Sequence, residues 1–417
     1  MAGLLVPAAA GAQPRNCSVS SQNIYVRDVL VEFYYWNQFL PNRNPTSFSS
    51  PEAYLDAVRY RPLDTSFSFI TSAASNEAFY SDSQYIGYGF GQETSAAGMR
   101  VLQVYPDSPA QQAGLARGDR IVEINGRSVA EMIADGSIGS AFGPTEVGVV
   151  SRIAFEPKAG ERRQAEMVKA LVTIPTVSLT RVYDLDGRRV GYLFFRNFVE
   201  PSFAALDDAF AALKEAGVTE LVLDLRYNGG GLVSVAVRLA SLIGGAITEG
   251  QPFATYKHND RQVRRNETIR FEDLESPPLA LSRLVAITTR GSASASELVI
   301  NSLRPFIPVD IIGDATYGKP VGQYQFEFCD KVLAPVSFSL RNANDEGDYF
   351  DGLAPTCVAG DDIDHELGDV EEASLKEAFH FIRHGACSMP STLAARTLRA
   401  PDPRFRATGW QSLVNAY

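Results

Sequence analysis

The chain has 417 residues, 45% of them hydrophobic and 21% charged, with 49 acidic against 38 basic side chains and a formal net charge of −11. That length allows two to four domains with ample core. The acidic balance, with no basic patch interleaved with aromatics, excludes nucleic acid as the partner, and no apolar run approaches the roughly 20 residues of a membrane-spanning helix.

Residues 1–14 stand apart. Met1 to Gln13 is short and apolar and closes on Ala10-Gly11-Ala12, which resembles the remnant of a secretory signal without its basic region; an alanine-rich disordered terminus fits the same residues. The first of these readings implies a periplasmic or secreted protein. Residues 15–84 read as a helical N-terminal domain, with an aromatic-rich helical stretch over residues 26–39.

Residues 85–170 begin with Gly87-Tyr88-Gly89-Phe90 and continue through the apolar run 99–104. Ser108 caps a short helix that has Pro109 in its first turn and Gly114 at its end, and Asn125-Gly126 is a hairpin turn signal. The order of these pieces resembles a PDZ domain, with a linker running on to residue 170. In such a domain the amides of residues 87–90 hold a peptide's terminal carboxylate while the peptide adds as a strand.

Residues 171–387 alternate strands (191–195, 221–225, 284–288, 309–312) with helices, which argues a largely parallel sheet. Phe203, Leu206, Phe210 and Leu213 mark one face of a helix that stops at Gly217. The strand from Glu220 runs into Asp224-Leu225-Arg226-Tyr227-Asn228 and then Gly229-Gly230-Gly231, a turn whose backbone a ligand approaches closely. No Gly-Lys-Ser/Thr follows, so a phosphate loop is excluded. Beyond Cys387, residues 388–417 lack periodicity and read as a C-terminal extension.

The chemistry concentrates in two segments. Gly291-Ser292-Ala293-Ser294-Ala295-Ser296-Glu297 lies between the strand Leu284–Thr288 and a short helix over residues 297–303, so Ser294 sits beside unpaired helix N-terminal amides suited to an oxyanion. Taken alone, these small residues are only a helix cap. None of the four histidines (258, 365, 380, 384) lies in a motif that would pair it with Ser294. Lys319, in Gly318-Lys319-Pro320 after the apolar strand 309–312, serves as base once desolvation lowers its proton affinity, with Gln323 to orient its amine.

The set Asp-Leu-Arg-x-Asn-x-Gly-Gly, Gly-Ser-Ala-Ser-Ala-Ser-Glu and, 25 residues after the middle serine, Gly-Lys with Gln four further on resembles the carboxyl-terminal processing proteases, the S41 serine peptidases. Asp64-Thr65-Ser66-Phe67-Ser68-Phe69-Ile70 likewise resembles the family's segment leading into its PDZ domain. One departure is Gly229, where the family usually has proline.

The resemblance implies a multidomain α/β fold: a mainly parallel-sheet peptidase core with an inserted PDZ domain and a helical N-terminal domain. It implies Ser294 as nucleophile, Lys319 as base and Gln323 beside it. The Gly230 and Ala295 amides are the implied oxyanion donors, and Gly87, Tyr88, Gly89 and Phe90 the implied substrate-terminus loop. The substrates would be proteins or peptides captured by their C-termini, with no metal, nucleotide or other cofactor. Two rival readings are a non-catalytic PDZ binding protein and a hydrophobic-ligand-binding protein on the same scaffold; neither calls for an intact Ser-Lys pair.

Cys17, Cys329, Cys357 and Cys387 have no metal spacing and allow three connectivities. Cys17 lacks the small neighbours of a lipidation site. In an exported chain the expected disulfide is Cys329 to Cys357, which flank the segment after the lysine motif.

Overall fold

The computed structural model describes residues 13–274 and 278–388. The leader-like residues 1–12 and most of the C-terminal extension, residues 389–417, lie outside the described residues. The central sheet has six strands in the order Val177–Leu185, Arg188–Phe195, Glu220–Asp224, Leu284–Thr288, Val309–Gly313 and Cys357–Val358; the first pair is antiparallel and every later pair parallel. Alternation along each strand sends side chains to two separate cores. Leu221 and Leu223 join one, with Leu193, Phe195, Leu284 and Ala286; Val222 joins the other, with Tyr192, Phe194, Val285 and Ile287. Because both faces are covered, the strands read as continuous apolar runs rather than as alternating ones. The helices Ser202–Glu215, Val233–Gly244 and Ala295–Leu303 fill the first core, and Ala373–His384 covers the second through Leu375, Ala378, Phe379 and Ile382.

The N-terminal region shares that first core. Helix Val19–Phe33 buries Tyr25, Val26, Val29, Leu30 and Phe33 in it, and strand Phe69–Ser72 pairs antiparallel with Lys331–Ala334. The helical stretch expected over residues 26–39 therefore ends early, at Phe33. Tyr34 turns extended (φ −66°, ψ 129°), its hydroxyl donates to Asp64, and the Tyr35 amide donates to Val336 O at 2.7 Å. Bonds to the core replace the helical ones, and only a single 3-10 turn, Asn37–Phe39, follows.

Residues 88–168 form a separate unit whose main sheet runs Phe90–Ser95, Gly98–Val104, Arg120–Ile124, Val150–Glu156 and Arg163–Val168, closed around Tyr88, Phe90, Met99, Val101, Ile121 and Phe155. Ser108 caps Pro109–Gln112 as expected, and Asn125 and Gly126, both with positive φ, make the turn between Arg120–Ile124 and Arg127–Ser128. The unit enters and leaves through one antiparallel pair, Gln84–Gly87 with Ala170–Thr173.

The expected Cys329–Cys357 disulfide is not formed. Cys17 bonds to Cys329 and Cys357 to Cys387. Cys329 sits between Phe326–Phe328 and Lys331–Ala334, in the small sheet that receives the N-terminal strand. Cys357 lies in the outermost strand of the central sheet, next to the end of helix Ala373–His384. Neighbours in sequence thus belong to different sheets.

Candidate active site

Ser294 precedes helix Ala295–Leu303 with φ +57° and ψ −114°, a backbone conformation that non-glycine residues rarely adopt and that persists only where the surroundings over-determine it. Its amide donates to Glu297 Oε2 at 2.8 Å, and its carbonyl accepts from the Leu298 amide. The neighbouring serines are already spent: Ser292 Oγ donates to Leu225 O and Ser296 Oγ to Asn228 O, both at 2.8 Å. Those two are buried, whereas Ser294 is half-exposed. Of the three serines, only the middle one is presented to solvent.

Lys319 is 4% exposed, and its Nζ lies 6.0 Å from the centre of the Phe67 ring. Burial pulls the amine down to about 8 from its ordinary 10.5, against the opposing charges of Asp64 and Glu297. The two turns are joined by Glu297. Its carboxylate accepts from Ser294 N (2.8 Å) and Lys319 N (2.9 Å) on Oε2, and from Gly318 N (2.7 Å) and Thr316 Oγ1 (2.5 Å) on Oε1. Burial leaves this carboxyl above its ordinary range, although all four donors pull it back. Three of them are backbone N–H groups that can only donate, the arrangement that favours the carboxylate form. Gly318, at φ +95°, has no room for a side chain: a Cβ would lie 2.2 Å from Phe350 O.

Among the described residues Ser294 and Lys319 share a clamp but no direct hydrogen bond. Gln323 does not bond to the lysine either. Its Nε2 donates to Phe67 O at 2.7 Å and so fixes the residue whose ring faces the amine.

The glycine turn packs against the serine: a Cβ on Gly230 would lie 2.8 Å from Ser294 Cβ and from Ala295 N. The Gly230 amide itself donates to Asn228 Oδ1 at 2.9 Å, so in this arrangement it already has an acceptor. Ala295 N occupies the first helical position, where no intrahelical acceptor exists. Asn228 anchors the serine turn from below, its carbonyl accepting from Ala293 N and from Ser296 Oγ. Arg226, fully buried, bonds Asp224, Asp361 and Glu372 and fixes the end of the strand. Tyr227 is gripped from the separate unit by Arg117, whose Nη1 reaches the Tyr227 hydroxyl at 2.6 Å.

Gly87 to Phe90 are all buried; Gly87 ends the connecting strand, and Tyr88 and Phe90 lie in that unit's own core, apart from the cluster that holds Ala295. The carbonyls of Tyr88 and Gly89 accept from Ala110 N and Tyr105 N.

Sequence reasoning missed three contributors: Glu297 as the clamp, Asn228 as the anchor, and the Phe67 turn. The Ser-x-x-Glu spacing of a capping box signals the first; Asn228 and Phe67 lie in the motifs at 224–231 and 64–70, but nothing local tells that they meet the serine and lysine turns. Cys357, Glu377 and Cys387 form the one metal-type cluster among the described residues, and its sulfurs are spent in a disulfide.

Residues 189–358 match the family model for peptidase family S41, residues 100–139 that for a PDZ domain, and residues 21–69 that for the peptidase S41 N-terminal domain. The chain is 26% identical over 318 residues to the carboxy-terminal processing protease CtpA of Bacillus subtilis (strain 168), an alignment that covers 75% of this chain and 63% of that protein. It is 24% identical over 269 residues to a CtpA-like serine protease of Staphylococcus aureus, covering 64% of this chain and 51% of that one. The matched region thus spans between half and two thirds of these relatives' length. Among solved structures, an S41 protease from Bacteroides fragilis NCTC 9343 superposes with a TM-score of 0.70 at 26% identity, covering 86% of this chain and 97% of its own. The photosystem II D1 C-terminal processing protease shares the fold at a TM-score of 0.53 and 21% identity, covering 83% and 94%.

Proposed function

The chain belongs to peptidase family S41, and from that premise we propose that it is a serine endopeptidase of the carboxyl-terminal processing type, with Ser294 as nucleophile and Lys319 as general base. The observation that carries this reading is the Glu297 clamp, which ties the strained serine turn to a buried lysine whose proton affinity has fallen to about 8. In that setting neutral Lys319 takes the Ser294 proton as the hydroxyl attacks a peptide carbonyl. Hydrogen bonds of this kind are often long in empty sites and tighten once substrate is bound. The oxyanion rests on the Ala295 amide, joined by Gly230 once that N–H turns from Asn228 Oδ1. Protonated Lys319 then delivers its proton to the leaving amine, and water hydrolyses the acyl-enzyme.

The PDZ unit supplies capture: a substrate C-terminus binds at the Gly87 to Phe90 loop and adds as a strand. A periplasmic or secreted location is part of the proposal, supported by the pairing of all four cysteines, which suits an oxidising compartment.

The test is digestion of an unfolded model protein, with mass spectrometry of the fragments, together with a matched pair of peptides bearing a free or an amidated C-terminus. Ser294→Ala and Lys319→Ala are each expected to abolish cleavage while leaving the fold intact, and amidation to raise KM. Cleavage surviving in Ser294→Ala refutes the nucleophile. Equal kcat/KM for the two peptides refutes C-terminal capture.

A further inference from the structure

The lysine's surroundings come in part from a turn more than two hundred residues earlier in the chain. Residues 64–68 wrap the base: the Phe67 ring faces Nζ, Phe67 O accepts from Gln323, and Ser66 Oγ lies 3.2 Å from Tyr317 Oη, two positions before the lysine. What holds this turn is Asp64, which is completely buried. Its Oδ1 accepts from Ser68 N at 3.0 Å, and its Oδ2 from Tyr34 Oη at 2.8 Å and Ser68 Oγ at 2.5 Å.

The direction of these bonds is fixed from behind. Tyr34 Oη accepts the Tyr60 amide and Ser68 Oγ accepts the Val336 amide, so each hydroxyl has its proton free to point at the carboxylate. Three donors converge on a group that can only accept, which is the arrangement of an ionised carboxylate. Yet Asp64 forms no ion pair with any lysine, arginine or histidine among the described residues. A buried carboxylate without a paired cation is costly; its negative charge acts on the Lys319 amine together with that of Glu297, while Arg59 Nη1 donates to Ser68 O in the same turn at 3.2 Å.

We propose that Asp64 is a positioning residue for the dyad: its buried carboxylate fixes the turn that walls the Lys319 amine and supplies a charge that keeps the buried lysine a competent base. This rests on the Ser-Lys reading above. Burial alone would make the amine too weak an acceptor; the charges of Asp64 and Glu297 restore part of its basicity. The remaining groups close by are the phenols of Tyr34, Tyr317 and Tyr349, with Arg59 facing Tyr34. Burial raises the Tyr34 and Tyr349 phenols, which keeps them neutral.

The experiment follows second-order labelling of Ser294 by a fluorophosphonate from mildly acidic to alkaline pH, a readout that needs no natural substrate. Asp64→Asn and the smaller Asp64→Ser both remove the charge, and Ser68→Ala loosens the turn while leaving the charge in place. The neutral variants are expected to move the acid limb by about one pH unit toward acid and to lower the alkaline plateau, because a weaker base is neutral sooner but accepts less readily. Ser68→Ala is expected to lower the plateau with the limb unmoved. A limb left in place by a folded neutral variant overturns the role, and failure of both neutral variants to fold would make Asp64 a structural residue only. Wild-type labelling without a limb, or labelling that survives Ser294→Ala, sinks the dyad reading and the Asp64 role with it.

Discussion

Glu297→Gln separates the clamp from the chemistry, because it keeps the shape of the side chain and removes only its ability to accept on both ends. The carboxylate receives Ser294 N and Lys319 N on one oxygen and Gly318 N and Thr316 Oγ1 on the other. An amide offers one acceptor and turns an NH2 group toward the other pair. If the NH2 group faces the Ser294 side, two buried backbone donors lose their acceptor, at roughly 1–3 kcal/mol each. If it faces the other side, Thr316 has to reorient while still accepting from Leu353 N, and the Gly318 amide is orphaned at about 1–3 kcal/mol. With the loss of charge assistance on the surviving bonds, the expected destabilisation is about 2–4 kcal/mol. The first orientation frees the Lys319 amide from the serine turn; the second keeps Ser294 N and Lys319 N on one oxygen but releases Gly318 beside the lysine, and a displacement of about 1 Å in a catalytic group costs on the order of 100-fold in rate. Urea unfolding measures the first quantity and fluorophosphonate labelling of Ser294 the second. A variant that unfolds within about 0.5 kcal/mol of wild type and labels at an undiminished rate would refute the claim that Glu297 joins the two turns.

Lys319→Met is expected to stabilise the protein at neutral pH. The folded-state value is depressed from 10.5 to about 8, so below about 8 the fold carries the full penalty of a buried ammonium. At about 1.4 kcal/mol per unit this is roughly 3 kcal/mol. The penalty fades as pH rises from about 8 to 10.5, where the folded state gives up its proton first, and denaturant titrations in which the variant's advantage is absent at neutral pH, or grows with pH, would contradict the assignment. Cys387→Ser opens a crosslink between residues 30 apart and is expected to cost about 3–4 kcal/mol on the loop-entropy model. Peptide mapping of the thiol-blocked, unreduced chain should recover Cys17 with Cys329 and Cys357 with Cys387; a Cys329–Cys357 peptide would overturn the pairing.

The parts of the molecule legible in the sequence are those whose cause is local. Leu221, Val222 and Leu223 announce a strand buried on both faces, and the Ser108-Pro109 start and Asn125-Gly126 turn appear where their backbone preferences put them. Ser294 was legible only through its company. Three serines share one turn, and what distinguishes the middle one is that Leu225 O and Asn228 O consume the other two hydroxyls, partners some 67 and 68 positions away. Glu297 was in plain view with capping-box spacing, but its larger role depends on the Gly318-Lys319 turn returning to the same carboxylate.

The same distinction explains the misplaced disulfide and the shortened helix. Cys329 and Cys357 are close along the chain but lie in different sheets, whereas Cys17 and Cys329, 312 residues apart, meet where the N-terminal region joins the core. Residues 26–39 carry a helical pattern to Phe33 and beyond, yet Tyr34 and Tyr35 bond to Asp64 and Val336 instead of continuing the helix. That break has a consequence for the site. By leaving the helix, Tyr34 delivers its hydroxyl to Asp64, which holds the turn carrying Phe67 over the lysine. A local propensity is overridden there by a tertiary hydrogen bond, and the override helps build the environment of the Lys319 amine, so the residues least predictable from local pattern are the ones that complete the candidate site.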